Sequence, residues 1–314
     1  MHPLVSRARK LSSMTSLVRW TALAATALCA LIALGACAPL ALLNALAARD
    51  SHRSAEGVAY GTLARQKYDL YTPTSAPPPG GWPVVVFFYG GSWNTGERAD
   101  YRFVGEALAA RGVLAFVADY RLHPEVRYPD FLLDCANALG HGLDHAARLG
   151  GNPARVFVMG HSAGGYNAAM LALDGRWLAT VGHTPRELAG WIGIAGPYEF
   201  LPLKPGPAQA VFFHPDYPAG TQPIDYVSAA SPPAFVAAPA NDTVVNPQRS
   251  TRTMAARLQA VDARVTLRMY DSVSHASLIG AFAPPLRFLA PVLDDVAAFV
   301  EATPPAPRAS AGRS

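Results

Sequence analysis

Three side chains, far apart in the chain, could together carry out acyl transfer. Ser162 sits in Gly160-His161-Ser162-Ala163-Gly164-Gly165, His275 in Ser274-His275-Ala276, and Asp242 in Asn241-Asp242-Thr243-Val244-Val245. A serine hydroxyl is a poor nucleophile until a base takes its proton, and the base needs a group that orients it. Acyl transfer also loads negative charge onto a carbonyl oxygen, which preorganised backbone N–H groups stabilise. Tyr89-Gly90-Gly91-Ser92-Trp93 brings adjacent glycines that let backbone approach a substrate. A further donor is the N–H of Ala163, directly after the serine. His161 is also next to the serine, but its side chain should leave the turn in a different direction. Glu199 competes with Asp242 for the acid's place, since both follow strand-like runs.

The elements that would position these residues read out of the flanking sequence. Before the serine, Arg155-Val156-Phe157-Val158-Met159 reads as a buried strand; after it, Tyr166 to Leu173 has helical composition. Strand, Gly-x-Ser-x-Gly, helix is the context of a nucleophile elbow, a sharp turn in which side chains at Gly160 and Gly164 would clash. Val84-Val85-Val86-Phe87-Phe88 is a continuous apolar run, as expected of a strand covered on both faces, and it leads straight into the glycine pair. Further strands are expected at residues 66–71, 113–118, 191–195, 234–238 and 265–270. Helices are expected at 98–111, 131–149, 247–261 and 291–301. Strand–helix alternation predicts a mostly parallel sheet with helices on both faces. Ser162, Asp242 and His275 then all follow C-terminal strand ends, at one edge of the sheet. Of nine histidines, His275 is the one just beyond a late strand and before the final helix. Gly196 to Pro233 breaks the alternation. Rich in proline and aromatics, it could be a small cap over that edge or a surface loop packed on itself. Thr303 to Ser314 is Pro/Ala/Ser/Arg-rich and is expected to be disordered.

The 314 residues are 51% hydrophobic and 15% charged, which suits one large domain or two small ones. Residues 1–36 stand apart. Arg7, Arg9, Lys10 and Arg19 are their only formal charges, and Trp20 to Ala48 carries none. A basic start and an apolar run make an export signal or a membrane anchor. Leu34-Gly35-Ala36-Cys37 resembles the bacterial lipoprotein signal, so residues 1–36 are expected to be cleaved and Cys37 lipidated. The protein would then be held, exported, at the periplasmic face of the cell envelope. An ordinary signal peptide and an uncleaved anchor are the alternatives; the uncharged run is long enough to span a bilayer. The four basic residues of this leader account for the whole formal net charge of +4. The remainder has no basic excess to suggest nucleic-acid binding. Of Cys29, Cys37 and Cys135, only Cys135 would remain as a free thiol, in the apolar pattern of a helix, and no internal disulfide is expected. No Cys/His cluster has zinc-ligand spacing. His141 and His145, four apart, could chelate a metal on one helix face, but they read first as a solvent-facing pair.

Taken together and in order, these landmarks resemble those of the α/β-hydrolase serine esterases, in the bacterial carboxylesterase group related to hormone-sensitive lipase and arylformamidase. They comprise Tyr89-Gly90-Gly91-Ser92-Trp93, Asp119-Tyr120-Arg121-Leu122, Tyr128-Pro129, the Ser162 turn, Asp242 and His275. The resemblance implies an α/β-hydrolase catalytic domain over residues 37–302, with 196–233 as the possible cap. It implies Ser162 as nucleophile, His275 as general base and Asp242 as orienting acid. Gly91, Ser92 and Ala163 would be the oxyanion donors. It implies a small or medium carboxylic ester as substrate and an acyl-enzyme mechanism that requires neither metal nor organic cofactor. Amide chemistry on the same site, as in arylformamidase, is one alternative, and an inactive binding protein on this fold is another. Two departures from the family pattern stand out. Tyr89-Gly90-Gly91-Ser92 replaces His-Gly-Gly-Gly, and Ala238-Pro239 replaces the His-Gly that often opens the acid loop.

Overall fold

The computed structural model describes residues 39–46 and 51–307. The chain divides into two compact units, residues 1–45 and 46–314. Of the first, only α1, Pro39–Ala45, is described. The expected lipoprotein signal, Cys37 included, lies outside the described residues, as do residues 308–314 of the expected tail. Among the described residues no helix is long and apolar enough to cross a membrane.

The second unit is built on one eight-stranded sheet. Its strands are β1 (His52–Ala59), β2 (Lys67–Pro73), β3 (Trp82–Phe88), β4 (Leu114–Ala118), β5 (Gly151–His161), β6 (Gly190–Ile194), β7 (Ala234–Pro239) and β8 (Val265–Tyr270). The order across the sheet is β1-β2-β4-β3-β5-β6-β7-β8. β1 pairs with β2, and β2 with β4, antiparallel; every other neighbouring pair is parallel. Parallel strands need crossovers, and helices supply them: α2 (Arg102–Ala109), α3 (Asp130–His145), α4 (Ala163–Leu173), α5 (Gly175–Ala179), α6 (Ala208–Val211) and α7 (Thr253–Ala260), while α8 (His275–Gly280) and α9 (Val292–Ala302) follow the last strand. α2 and α9 contact each other, while α3, α4 and α5 form a second group. This cover explains why Val84 to Phe88 are fully buried on both sides of the pleat. Each such side chain contributes about 1.5–3 kcal/mol when taken from water.

Three expectations need correcting at the edges. β1 was not expected, because its His-Arg-Ser-Ala-Glu-Gly-Val-Ala has no apolar alternation; it is an edge strand with most residues exposed. The tail is ordered where it starts. Thr303 is buried with its hydroxyl on the Phe299 carbonyl (2.6 Å), and the Ala306 N–H donates to the Ala154 carbonyl (2.7 Å). Small and hydroxylated residues there find partners that composition does not reveal. His141 and His145 do not simply face solvent. Their rings stack 3.9 Å apart, both half-buried, and His145 Nδ1 lies 2.9 Å from the His141 carbonyl. Cys135 is free and fully buried, and burial pushes its thiol well above the usual range. The expected helices at Arg98 and Pro247 form, but each opens on a different turn: 3-10 over Arg98–Tyr101 and π over Gln248–Arg252.

Because β3, β5, β6, β7 and β8 run parallel, the loops at their C-terminal ends gather on one edge. That edge is where open α/β sheets bind ligands. Residues 89–97, Ser162, residues 196–233, residues 240–247 and His275 are all placed there.

Candidate active site

Ser162 occupies a backbone conformation that side chains rarely adopt, φ 54° and ψ −121°. Holding a non-glycine residue there costs on the order of 1–3 kcal/mol, so its surroundings must enforce it. The neighbouring glycines show how. A Cβ added at Gly160 would lie 2.0 Å from the Gly164 carbonyl oxygen, and one at Gly164 would lie 1.9 Å from the Phe88 carbonyl oxygen. The elbow therefore closes against itself and against the end of β3, with no room for a methyl group. The Ser162 N–H donates to the Ile194 carbonyl at 2.8 Å, tying the turn to β6. The Ser162 side chain does not cap α4 and lines a cavity of about 250 Å3.

Asp242 and His275 meet directly. His275 is the first residue of α8, behind a Ser274/Ser277 capping box, and its Nδ1 lies 2.7 Å from Asp242 Oδ2. The other carboxylate oxygen, Oδ1, accepts the N–H groups of Val244 (2.8 Å) and Val245 (3.1 Å). The Asp242 side chain is fully buried and that of His275 is 12% exposed. Burial alone would raise the Asp242 pKa. The hydrogen bond and charge of His275, with the two backbone N–H donors, outweigh it and hold the carboxyl below its ordinary range. An ionised carboxylate on Nδ1 fixes the imidazole with Nε2 unprotonated, the tautomer a general base needs.

Glu199, the competing acid, does neither job. It pairs with Arg249 at 3.4 Å and lines the cavity beside Lys204 and Ser250. The Arg249 guanidinium also donates to the Leu201 carbonyl. Residues 197–208 form much of the cavity wall, facing Ser92, Trp93, Ser162 and Ala163.

The glycine pair lies where the sequence put it. Gly91, Ser92 and Trp93 all have positive φ, 122°, 51° and 59°. The Gly91 carbonyl is held by the N–H groups of Asn94 (3.0 Å) and Thr95 (3.1 Å). The N–H groups of Ser92 and Ala163 donate to no carbonyl among the described residues. Behind this loop stands a network that explains the Asp119-Tyr120 landmark. Asp119 accepts the Arg98 N–H (2.8 Å), the Arg98 guanidinium (2.6 Å) and the Tyr89 hydroxyl (2.9 Å). Arg65 donates to the Tyr89 hydroxyl (2.6 Å) and to the Gly96 carbonyl (2.7 Å). Tyr120 donates to the Tyr89 carbonyl at 2.8 Å. Tyr89 is thus anchored at both ends and stacks on Tyr120 and Tyr101.

Sequence reasoning missed the contacts that two residues make, His161 and Asn167. His161 points away from the cavity, as its place in the turn predicts, and its Nε2 reaches the His275 carbonyl at 3.1 Å. Burial, with the nearby His275, lowers its pKa to about 3, so it is neutral. Asn167 on α4 accepts the Trp93 indole N–H at 3.0 Å; its polar side chain in an otherwise apolar helix was the available signal. Among the described residues no group of three His, Cys, Asp or Glu side chains could hold a metal ion.

Comparison with known proteins finds esterases among those similar to this chain. Residues 68–202 match the BD-FAE family model. Over 243 residues the chain is 25% identical to a probable isoprenylcysteine alpha-carbonyl methylesterase of Arabidopsis thaliana, covering 70% of this chain and 50% of that protein. It is 29% identical to the esterase LipC of Mycobacterium tuberculosis over 222 residues, covering 65% and 55% respectively. The chain thus spans about half the length of the curated relatives it matches. Among solved structures, butyrate-bound esterase of Thermogutta terrifontis superposes with a TM-score of 0.64 at 24% identity, covering 83% of this chain and 97% of that one. A truncated carbohydrate esterase from gut microbiota gives 0.69 at 17% identity, with 81% and 98% covered. Sheet order, elbow and superposition together give the chain the α/β-hydrolase fold, which these esterases share.

Proposed function

We propose that the protein is a serine hydrolase of small to medium carboxylic esters. Ser162 attacks the ester carbonyl while His275 takes its proton and Asp242 holds the imidazole. The N–H groups of Gly91, Ser92 and Ala163 take up the charge on the carbonyl oxygen. His275 then protonates the leaving alcohol, and the ester C–O bond breaks to leave an acyl-enzyme. Water, deprotonated by the same histidine, attacks the acyl-enzyme and releases the acid and Ser162. The observation that carries this reading is the 2.7 Å His275–Asp242 contact on the sheet edge that also bears the strained Ser162. The cavity supports the size class: at about 250 Å3, with Trp93, Phe200 and four prolines in its wall, it suits a compact, largely apolar ester.

Hydrolysis of p-nitrophenyl acetate and butyrate tests the reading. Wild-type protein is expected to turn both over, and Ser162→Ala to lose activity by roughly 10⁶-fold while unfolding at the same temperature. An organophosphonate should label Ser162. Wild-type-like turnover in Ser162→Ala would overturn the assignment. Amide hydrolysis is the second reading; a matched formanilide cleaved faster than the ester would favour it. An inactive binding protein would turn over neither. We further propose that Cys37 carries lipid and holds the hydrolase at the periplasmic face of a membrane.

A further inference from the structure

We infer that Asn167 is a positioning residue for the oxyanion loop, acting through the indole of Trp93. This rests on the serine-hydrolase reading above. The loop has a mechanical problem. Ser92 and Trp93 are consecutive side-chain-bearing residues in the left-handed region, φ 51° and 59°, a conformation that relaxes unless something holds it. Ser92 carries one of the N–H groups that would meet the carbonyl oxygen.

Contacts of three kinds hold Trp93: a backbone hydrogen bond, ring packing and an indole hydrogen bond. Its carbonyl accepts the His123 N–H at 2.8 Å. Its ring stands edge-on to Tyr166 (5.2 Å, 87°) and Phe212 (4.9 Å, 86°). Its indole N–H donates to Asn167 Oδ1 at 3.0 Å. Ring packing tolerates small rotations, whereas a single hydrogen bond in a dry site fixes direction. Trp93 is 3% exposed and Asn167 fully buried, so water cannot replace this bond.

The placement of the acceptor gives the bond its consequence. Asn167 lies on α4, the helix that opens at Ala163, directly after Ser162. One donor of the oxyanion site, Ala163, thus belongs to the same helix as Asn167; the others, Gly91 and Ser92, sit on the loop that carries Trp93, 74 residues before Asn167. The Trp93–Asn167 bond sets the distance between them. A hole is useful only when its donors are fixed where charge develops, and displacement of about 1 Å can cost roughly 100-fold.

The test uses the full chain and the p-nitrophenyl butyrate assay, with wild type and Ser162→Ala alongside. Asn167→Leu keeps side-chain volume and removes the acceptor. Asn167→Asp keeps an acceptor oxygen but buries an acid. Trp93→Phe keeps an aromatic ring and removes the donor. If Asn167 positions the hole, Asn167→Leu and Trp93→Phe lower kcat by about 10- to 100-fold with KM within about threefold, less than the roughly 10²–10³ for deleting a donor outright. A trifluoromethyl ketone, whose adduct places an oxyanion in the hole, weakens in the same proportion, while competitive inhibition by butyrate does not. The double variant is no slower than the slower single one. Asn167→Asp stays within about threefold of wild-type kcat although it unfolds more easily than Asn167→Leu. That inversion, more activity in the less stable variant, is what a merely structural role cannot produce. The inference is overturned if kcat follows thermal stability across the series, if the two single losses multiply, or if the ketone and butyrate weaken together. Should both Asn167 variants fail to fold, Trp93→Phe decides it by the same ketone-against-butyrate comparison. An inactive wild type refutes the esterase reading itself; an active wild type matched by an equally fast Asn167→Leu refutes only this inference.

Discussion

At the scale of single residues, two carboxylates and two histidines divide into working and supporting parts by what surrounds them. Asp242 has its oxygens filled by His275, Val244 and Val245, whereas Glu199 is spent on Arg249. Asp242→Asn is therefore expected to reverse the tautomer of His275 and cut kcat by roughly 10⁴-fold, with Glu199→Gln changing kcat by far less; steady-state kinetics of both variants checks the assignment. His161 makes a prediction of a different kind. Its pKa is depressed to about 3 by burial and by His275, while in the unfolded chain it titrates near 6.5. Below pH 6.5 the unfolded state binds a proton that the folded state refuses, so stability is full above that pH and falls as pH drops toward 3. The slope from this one group approaches about 1.4 kcal/mol per pH unit. Urea midpoints between pH 7 and 4 should fall more steeply for wild type than for His161→Gln. The types and order of Ser162, Asp242 and His275 were legible in the sequence because chemistry restricts them. His161 and Asn167 were not: a hydrogen bond to a backbone carbonyl or to an indole leaves no spacing rule behind.

At the scale of elements, the site is the meeting of three strand ends, and glycine is the tolerance that lets them meet. Gly164 is the tightest point, since its α-carbon faces the Phe88 carbonyl at the end of β3 and a Cβ there would sit at 1.9 Å. Backbone cannot move aside as a flexible side chain can. Gly164→Ala is expected to lose at least about 1–3 kcal/mol of stability, as overpacked sites do, and to push the start of the glycine loop away from α4. Denaturant midpoints measure the first effect; a larger fall in kcat than in fraction folded measures the second. This need for glycine could be read from the Gly-x-Ser-x-Gly pattern, as could β3 from its unbroken apolar run. What sequence did not disclose is how the loop is braced. Tyr89 stands where the related family has histidine, and the structure supplies Asp119, Arg65 and Tyr120 as its partners. With Tyr89 these residues come from three segments, next to β2, β4 and β3, so only the sheet order β2-β4-β3 brings them together. β1 was invisible for the opposite reason: an exposed edge strand has no buried face to impose alternation.

At the scale of the whole molecule, the polarity of the chain divides it more sharply than its length does. The leader's four basic residues supply the entire formal net charge, so the pI near 9.0 describes the leader more than the catalytic unit. A basic stretch from Arg7 to Arg19, an apolar core from Trp20 to Leu34 and then Gly35-Ala36-Cys37 resemble, in order, the parts of a lipoprotein signal, the reading proposed above. The thiol is the reacting group, because the diacylglyceryl chain is attached through sulfur. Cleavage after Ala38, two residues later, is disfavoured, since Pro39 would follow the cut. Several acyl chains at about 0.8 kcal/mol per buried CH₂ suffice to hold a hydrolase whose remaining charge is balanced and so gains little from anionic headgroups. Mass spectrometry of the N-terminal peptide should find Cys37 first and acylated, and Cys37→Ser should move the protein out of the membrane fraction without changing kcat on a soluble ester. An unmodified N-terminus beyond Cys37 would favour plain secretion. A leader still attached in both proteins would favour a transmembrane anchor, since the uncharged run from Trp20 to Ala48 is long enough to span a bilayer.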